Sequence, residues 1–266
     1  MQVIDTIAGF RKALDAERAE GRTVGLVPTM GALHAGHASL IDAARATCDV
    51  VALTVFVNPL QFGPNEDLAK YPRPFEADVA LATAHGADYV LHPSVEEMYG
   101  PNGTRTTIHV AEVSEGMEGA VRPGHFDGVA TVVAKLFNAA GPCRAFFGEK
   151  DYQQLQVVKR LVRDLSFPVE IVPCPIVREA DGLALSSRNV YLSPEDRAAA
   201  TVLHRALQAG AADLDHAVEI ITAIVNDCSR ATLDYAEVVV TDHETRLLVA
   251  AKFGTTRLLD NLGVTH

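Results

Sequence analysis

Apolar and polar positions alternate in blocks along this chain, not residue by residue. Short runs that are apolar nearly throughout, "TVGLVPT", "DVVALTVFV", "DYVLHP", "RAFFG" and "VEIVPCPIV", are separated by longer stretches with apolar residues at three- and four-residue intervals. "RPFEADVALATAHG", "GVATVVAKLFNAAG" and "DYQQLQVVKRLVRDL" are of this second kind. An apolar run with no polar face predicts a strand covered on both sides, as in a parallel sheet, and the periodic stretches between predict the covering helices. The N-terminal "MQVIDTIAGFRKALDAERAEGR" predicts a short strand and an amphipathic helix, and a further helix is expected from about His34 to Cys48.

Right-handed crossovers between such strands give an α/β fold, a Rossmann-like doubly wound parallel sheet. The pattern changes after Val177. "SPEDRAAA" offers Ser193 as a helix N-cap, Pro194 at the first helical position and acidic residues in the first turn, and it opens an alanine-rich helical stretch. "LDYAEVVV", "TRLLVAAKF" and "TTRLLDNLGV" then predict three strands of a small antiparallel sheet. Two domains are expected, residues 1–176 with the parallel sheet and residues 177–266 forming a smaller C-terminal α+β lid domain.

Composition narrows the function. The chain has 266 residues, 48% of them hydrophobic and 21% charged, values of a globular protein able to bury a full core. No apolar run is long enough to cross a bilayer, and the first residues lack the features of a secretory signal, so no membrane association is expected and the cytoplasm is the expected compartment. The formal net charge of −11 and the absence of a long basic run argue against binding nucleic acid, yet leave room for a small anion held by a few local cations. Cys48, Cys143, Cys174 and Cys228 form no C-x-x-C pair, so neither a disulfide framework nor a zinc ribbon is expected.

Three polar clusters follow three of the predicted strands: "PTMGALHAGH", "NPLQF" and "GEKDYQQL". In an open parallel sheet the carboxyl ends of the strands share one edge, where ligands bind, so these remote clusters are expected to converge. In "HAGH", His34 and His37 stand near a helix start, where backbone N–H groups lack intrahelical partners and the dipole welcomes phosphate. Gly36 lets a flat ring or a sugar approach the backbone. A metal site and a pair of plain helix-surface histidines are the competing readings. Lys150 at a loop-to-helix junction can reach phosphates as a point charge, and Asp151 next to it is a natural N-cap. Gln61 and Gln154 offer neutral amides among apolar residues, which suit a small hydroxy acid better than a phosphorylated acceptor. "ADGLALSSRN" carries Ser186, Ser187 and Arg188, fit to meet a triphosphate or to form a plain surface turn.

Together "LVPTMGALHAGH", "VFVNPLQF", "DLAKYPR", "RPGHFDGVATVV", "FFGEKDYQQL", "VREADGLALSSRN" and "GTTRLLDN" resemble the pantoate–β-alanine ligase family over nearly the whole chain. An isolated H-x-G-H is shared with other nucleotidyltransferases and class I aminoacyl-tRNA synthetases, whereas the ordered set is specific. The resemblance implies an ATP-dependent ligase that condenses (R)-pantoate with β-alanine through a pantoyl adenylate, releasing pyrophosphate and AMP, as a cytoplasmic homodimer using Mg2+ with ATP. It implies that Met30, Gly31, Ala32, Leu33, His34, Ala35, Gly36 and His37 bind ATP, with His37 as proton donor. It extends ATP binding to Gly148, Glu149, Lys150 and Asp151, and to Val177, Leu185, Ser186, Ser187 and Arg188. His34, Lys150 and Arg188 join His37 as the expected catalytic group. Gln61 and Gln154 are implied to hold pantoate, and Gln61 also to lie at the β-alanine position.

The chain departs from the family pattern in two places. The stretch from Tyr235 to Arg257 is short, so a hairpin or part of a strand is expected to be missing. After "YPR", Asp78 is retained but Ala77 and Leu81 supply no metal ligand, so no protein ligand for a metal is expected. The rival readings are a nucleotidyltransferase acting on another small acid or a phosphorylated acceptor, a nucleotide sensor, and a histidine-based metal hydrolase.

Overall fold

The computed structural model describes residues 1–64 and 66–265. Its contacts divide the chain into two compact units, Met1–Glu149 with Gln153–Pro175, and Lys150–Tyr152 with the chain from Ile176 onward. The first runs β1 (Gln2–Ile4), α1 (Ile7–Ala19), β2 (Val24–Thr29), α2 (Ala35–Thr47), β3 (Val50–Val55), α3 (Phe75–Ala84), β4 (Tyr89–Leu91), α4 (Val95–Tyr99), α5 (Met117–Val121), α6 (His125–Ala140), β5 (Cys143–Gly148), α7 (Tyr152–Asp164) and β6 (Val169–Cys174). The first residue of α7, Tyr152, belongs to the second unit.

The six strands pair in the order β1-β4-β3-β2-β5-β6, all parallel. In the central strands β2 and β3 the apolar runs are explained by burial on both faces, whereas the edge strands β1 and β6 are partly exposed. In β3, Val50 and Ala52 pack with Leu26 and α6 residues such as Val129, whereas Val51, Leu53 and Val55 pack with Val27 and the Ile41 face of α2. From β2 the chain builds one way through β3 and β4, then returns to place β5 on the other side of β2. The strand order therefore reverses between β2 and β5, the position where open α/β sheets bind ligands at their carboxyl edge. Gly25 in β2 lets α2 come close, since a Cβ there would lie 3.1 Å from that of Ala44 and 3.2 Å from Cys48 Sγ.

The second unit holds α8 (Pro194–Ala199), α9 (Val202–Ala211), α10 (Ala217–Asn226) and the strands β7 (Ala231–Val240), β8 (Glu244–Phe253) and β9 (Thr256–Thr265), paired antiparallel in that order. Its core joins Leu203 and Leu207 of α9 and Ile221 of α10 to Leu247, Val249 and Phe253 of β8. Ser193 caps α8 through the Asp196 N–H at 3.1 Å, with Pro194 following. The alanine-rich stretch is not one helix: Thr201 returns its hydroxyl to the Ala198 carbonyl at 2.8 Å where α8 gives way to α9, the local competition that threonine offers a helix backbone. The shortened stretch nevertheless builds both hairpins of the sheet, with three strands of ten residues each. No strand expected there is lost. Among the described residues, no helix is long and apolar enough to cross a membrane.

Candidate active site

The loop leaving β2 turns through two left-handed residues, Gly31 at φ +83° and Ala32 at φ +51°. A Cβ on Gly31 would sit 2.9 Å from Asp78 Oδ2 and 3.0 Å from Val55, so both conformation and space favour glycine. The loop is pinned from α3. Asp78, 2% exposed, accepts the Ala32 N–H at 3.0 Å and the Leu33 N–H at 2.7 Å. Burial raises its carboxyl pKa, and those two donors oppose the rise. Both oxygens are thus engaged by backbone. Thr29 adds an anchor, accepting from the Gly31 N–H at 3.1 Å and donating to the Thr54 carbonyl at 2.6 Å.

His34 and His37 do more than decorate a helix start. His34 is the N-cap of α2, so the helix begins at Ala35, and its Nδ1 accepts the Gly36 N–H at 3.1 Å. The His37 Nδ1 accepts the His34 N–H at 3.3 Å, and the two ring centroids lie 4.1 Å apart. Two N–H groups of this helix start, those of His34 and Gly36, are met by the imidazoles themselves. A neutral ring whose Nδ1 accepts carries its proton on Nε2. The caps therefore set both rings as Nε2–H donors. Ala35 is exposed beside them and Gly36 partly buried.

After β3, the turn Pro59–Gln61 brings the second cluster to the first. The Gln61 amide nitrogen lies 3.0 Å from Met30 Sδ, and its oxygen accepts from Asn58 Nδ2 at 3.1 Å. Asn58 is 1% exposed and is itself oriented, donating to the Gly128 carbonyl at 3.1 Å and accepting from the Tyr99 hydroxyl at 2.6 Å. With its oxygen taken, Gln61 presents the NH2 end. The turn packs on α6 so closely that a Cβ on Gly128 would be 2.3 Å from the Leu60 carbonyl oxygen. Behind it, His125 Nδ1 lies 2.9 Å from the Gln61 carbonyl oxygen and its Nε2 3.0 Å from Arg122, which pairs with Glu66 at 2.7 Å. The guanidinium only donates, so Nε2 accepts and Nδ1 carries the proton. Burial, then Arg122, hold this ring neutral, with its pKa pushed down to about 4. A cleft of about 310 Å³ opens beside Met30, lined by Val55, Phe56, Phe75, Asp78 and His92 among others.

β5 ends at Gly148, and Glu149 follows in the same unit. Gln153, 5% exposed, fastens the 113–118 segment, donating to the Glu115 carbonyl at 2.9 Å and accepting from the Glu118 N–H at 2.9 Å. Its neighbour Gln154 is half-buried, and its amide makes no hydrogen bond among the described residues. Of two adjacent glutamines, the first is engaged by the backbone of the 113–118 segment and the second is not.

In the second unit, Lys150 Nζ lies 3.5 Å from Asp151 Oδ1. Val177 and Leu185 meet there, the Leu185 N–H donating to the Val177 carbonyl at 3.0 Å. Ser186 caps the turn Ser187–Tyr191, accepting the Arg188 N–H at 3.2 Å. Within the first unit, then, the structure joins Met30 to Gln61 and His34 to His37, and within the second Val177 to Leu185 and Ser186 to Arg188. Asp78, Asn58, Tyr99 and His125 brace these residues, and apart from the local Asn58–Gln61 bond their contacts span more than forty residues of sequence, which is why spacing did not reveal them.

A family model described as Pantoate-beta-alanine ligase matches residues 2–263. The pantothenate synthetase of Geobacillus kaustophilus is 50% identical over 278 aligned residues, covering 98% of this chain and 92% of that protein. Among solved structures, the pantothenate synthetase of Thermus thermophilus superposes with a TM-score of 0.93 at 48% identity, covering 98% of this chain and 99% of that one. The pantoate-beta-alanine ligase of Francisella tularensis, complexed with beta-gamma ATP and beta-alanine, gives a TM-score of 0.86 at 35% identity, covering 98% and 97%.

Proposed function

The chain belongs to the pantoate–β-alanine ligase family, and on that premise we infer that it condenses pantoate with β-alanine to pantothenate at the expense of ATP, by way of a pantoyl adenylate. The observation that carries the assignment of the site is the locked imidazole pair at the β2–β5 switch point, with the Gln61 amide against Met30 beside it.

A carboxylate is ionised at neutral pH and needs no base to become a nucleophile. One pantoate oxygen attacks the α-phosphorus of ATP, the P–O bond to the β-phosphate breaks, and pyrophosphate leaves. The protein's task is alignment and charge stabilisation. Gln61 turns its NH2 toward the acid, and the unengaged amide of Gln154 offers a second contact. The loop from Met30 to His37 takes the nucleotide, with the His34 and His37 Nε2–H groups donating hydrogen bonds to phosphoryl oxygens as pyrophosphate departs. The proton-donor role expected of His37 is here that of a hydrogen-bond donor, because a ring whose Nδ1 accepts has no second proton to give. Gly148, Glu149, Lys150 and Asp151, with Val177 and Leu185–Arg188, complete the ATP contacts, the Lys150 and Arg188 cations balancing the phosphates. In the second half-reaction the neutral amine of β-alanine, placed near Gln61, attacks the acyl carbon, the acyl–phosphate bond breaks, AMP leaves and the amine gives up one proton to solvent.

Mg2+ enters on the phosphates of ATP. Asp78 does not fit a metal ligand, since both of its oxygens accept backbone N–H bonds, and no step is assigned to the ion. We further place the enzyme in the cytoplasm as a homodimer, which sedimentation of the purified protein tests.

Pantoate-dependent exchange of pyrophosphate into ATP, run without β-alanine, tests the adenylate. Exchange is the expected result. Its absence from folded protein that still makes pantothenate overturns the two-step route.

A further inference from the structure

"GTTRLLDN" ends in two residues to which the chemistry above gives no role, Asp260 and Asn261. Both are buried, at 3% and 1% exposure. Asn261 spends every polar group of its backbone and side chain. Its Nδ2 donates to the Lys150 carbonyl at 2.8 Å, and its Oδ1 accepts from Arg246 at 2.9 Å. Its backbone N–H goes to Asp260 Oδ1 at 2.7 Å, and its carbonyl accepts from Arg178 at 3.1 Å.

Asp260 grips Arg178 with both oxygens, at 2.6 and 2.9 Å. Arg178 in turn donates to the Gly182 carbonyl at 3.1 Å and bridges to Ala184, closing the hairpin whose last residues lead into Leu185–Arg188. Asn189 ties down the far side of that segment, donating to the Ala184 carbonyl at 3.1 Å. On the other flank the Arg246 guanidinium lies 4.7 Å from the centroid of the Tyr152 ring. Two short segments, Lys150–Tyr152 and the hairpin before Ser186, are thus fastened to the same two residues of β9. All of these groups lie within the second unit.

We propose that Asp260 and Asn261 are positioning residues for the phosphate-binding cations, holding Lys150 and the Leu185–Arg188 loop at a fixed spacing. A lysine is a flexible point charge, so where its charge falls depends on where its backbone is held. The side chain of Asn261 holds that backbone by its carbonyl, and the Asp260–Arg178 clamp holds the arginine-bearing loop. The proposal rests on the reading of Lys150 and Arg188 as ATP contacts, so the experiment separates the two.

Asn261→Asp keeps an acceptor for Arg246 but sets a carboxylate oxygen against the Lys150 carbonyl. It is compared with Lys150→Ala, and with Arg178→Lys, which keeps the charge but loses the two-pronged grip on Asp260. The KM for ATP, the KM for pantoate, kcat and the melting temperature are measured for each. The expected result is a KM for ATP raised about tenfold in both Asn261→Asp and Arg178→Lys, with the KM for pantoate within twofold of the parent. A merely structural role would lower the active fraction and the melting temperature while leaving both KM values unchanged, and that result overturns the proposal. So does a parent-like KM for ATP in either folded variant while Lys150→Ala is impaired. An unimpaired Lys150→Ala overturns the assignment of Lys150 itself, and the positioning role with it.

Discussion

At the scale of single residues, the site is set by hydrogen bonds that fix which end of a side chain faces outward. His37 is expected to act through Nε2–H, because its Nδ1 is committed to the His34 backbone. His37→Ala removes both the cap and the donor, and turnover is expected to fall by about 10²-fold or more while the fold survives. Circular dichroism beside steady-state rates checks this, and near-normal turnover would reject the role. Asp78→Asn keeps one acceptor but turns an NH2 toward the loop N–H groups. The lost charge-assisted bond costs about 2 kcal/mol, read as a 10- to 100-fold fall in kcat/KM for ATP. The histidine pair, Gln61, Gln154 and Lys150 stand out in the sequence as candidates because each falls in a polar cluster that follows a predicted strand. Asp78 was legible as a residue but not as an anchor, because its partners lie 45 and 46 positions away.

At the scale of elements, the apolar runs and the short N-terminal strand foretold the parallel sheet, most plainly at β2 and β3, where burial on both faces leaves no polar alternation to misread. The three C-terminal strands were equally plain. The five-residue helices α4 and α5 were not, being too short to show a period. The placement of Gln61 depends on such a hidden contact, the close approach of its turn to α6 at Gly128. Gly128→Ala places a methyl where the Leu60 carbonyl oxygen sits at 2.3 Å, so the turn must shift. The expected outcome is a KM for pantoate raised about tenfold with the KM for ATP nearly unchanged, since the lost alignment falls on one substrate. Titrations of each substrate in turn decide it, and equal changes in both constants would contradict the assignment of Gln61.

At the scale of the whole molecule, the buried ring of His125 links stability to acidity. The folded protein keeps it neutral down to about pH 4, whereas the unfolded chain protonates it near its ordinary value of 6.5. Between those values the unfolded state holds the extra proton, so stability falls as pH drops from 6.5 toward 4, at up to about 1.4 kcal/mol per pH unit from this ring. Denaturant midpoints at pH 7, 6 and 5 are expected to fall more steeply for the parent than for His125→Gln, and parallel curves would place the acid sensitivity elsewhere. The sequence pattern changes near Val177, but no pattern in the sequence marks Lys150–Tyr152 as part of the unit that holds the chain from Ile176 onward. That assignment comes from contacts with β8 and β9, roughly a hundred residues downstream.

The membership of Lys150–Tyr152 constrains how hybrids of this enzyme can be built. The chain passes from one unit to the other three times, at 149/150, 152/153 and 175/176. A splice after Pro175 that grafts on a relative's tail would hand Lys150 to foreign neighbours while leaving the lysine itself native. Such chimeras are expected to retain ATP affinity only when the donor tail carries counterparts of Arg246 and Asn261, or when residues 150–152 are transplanted along with it.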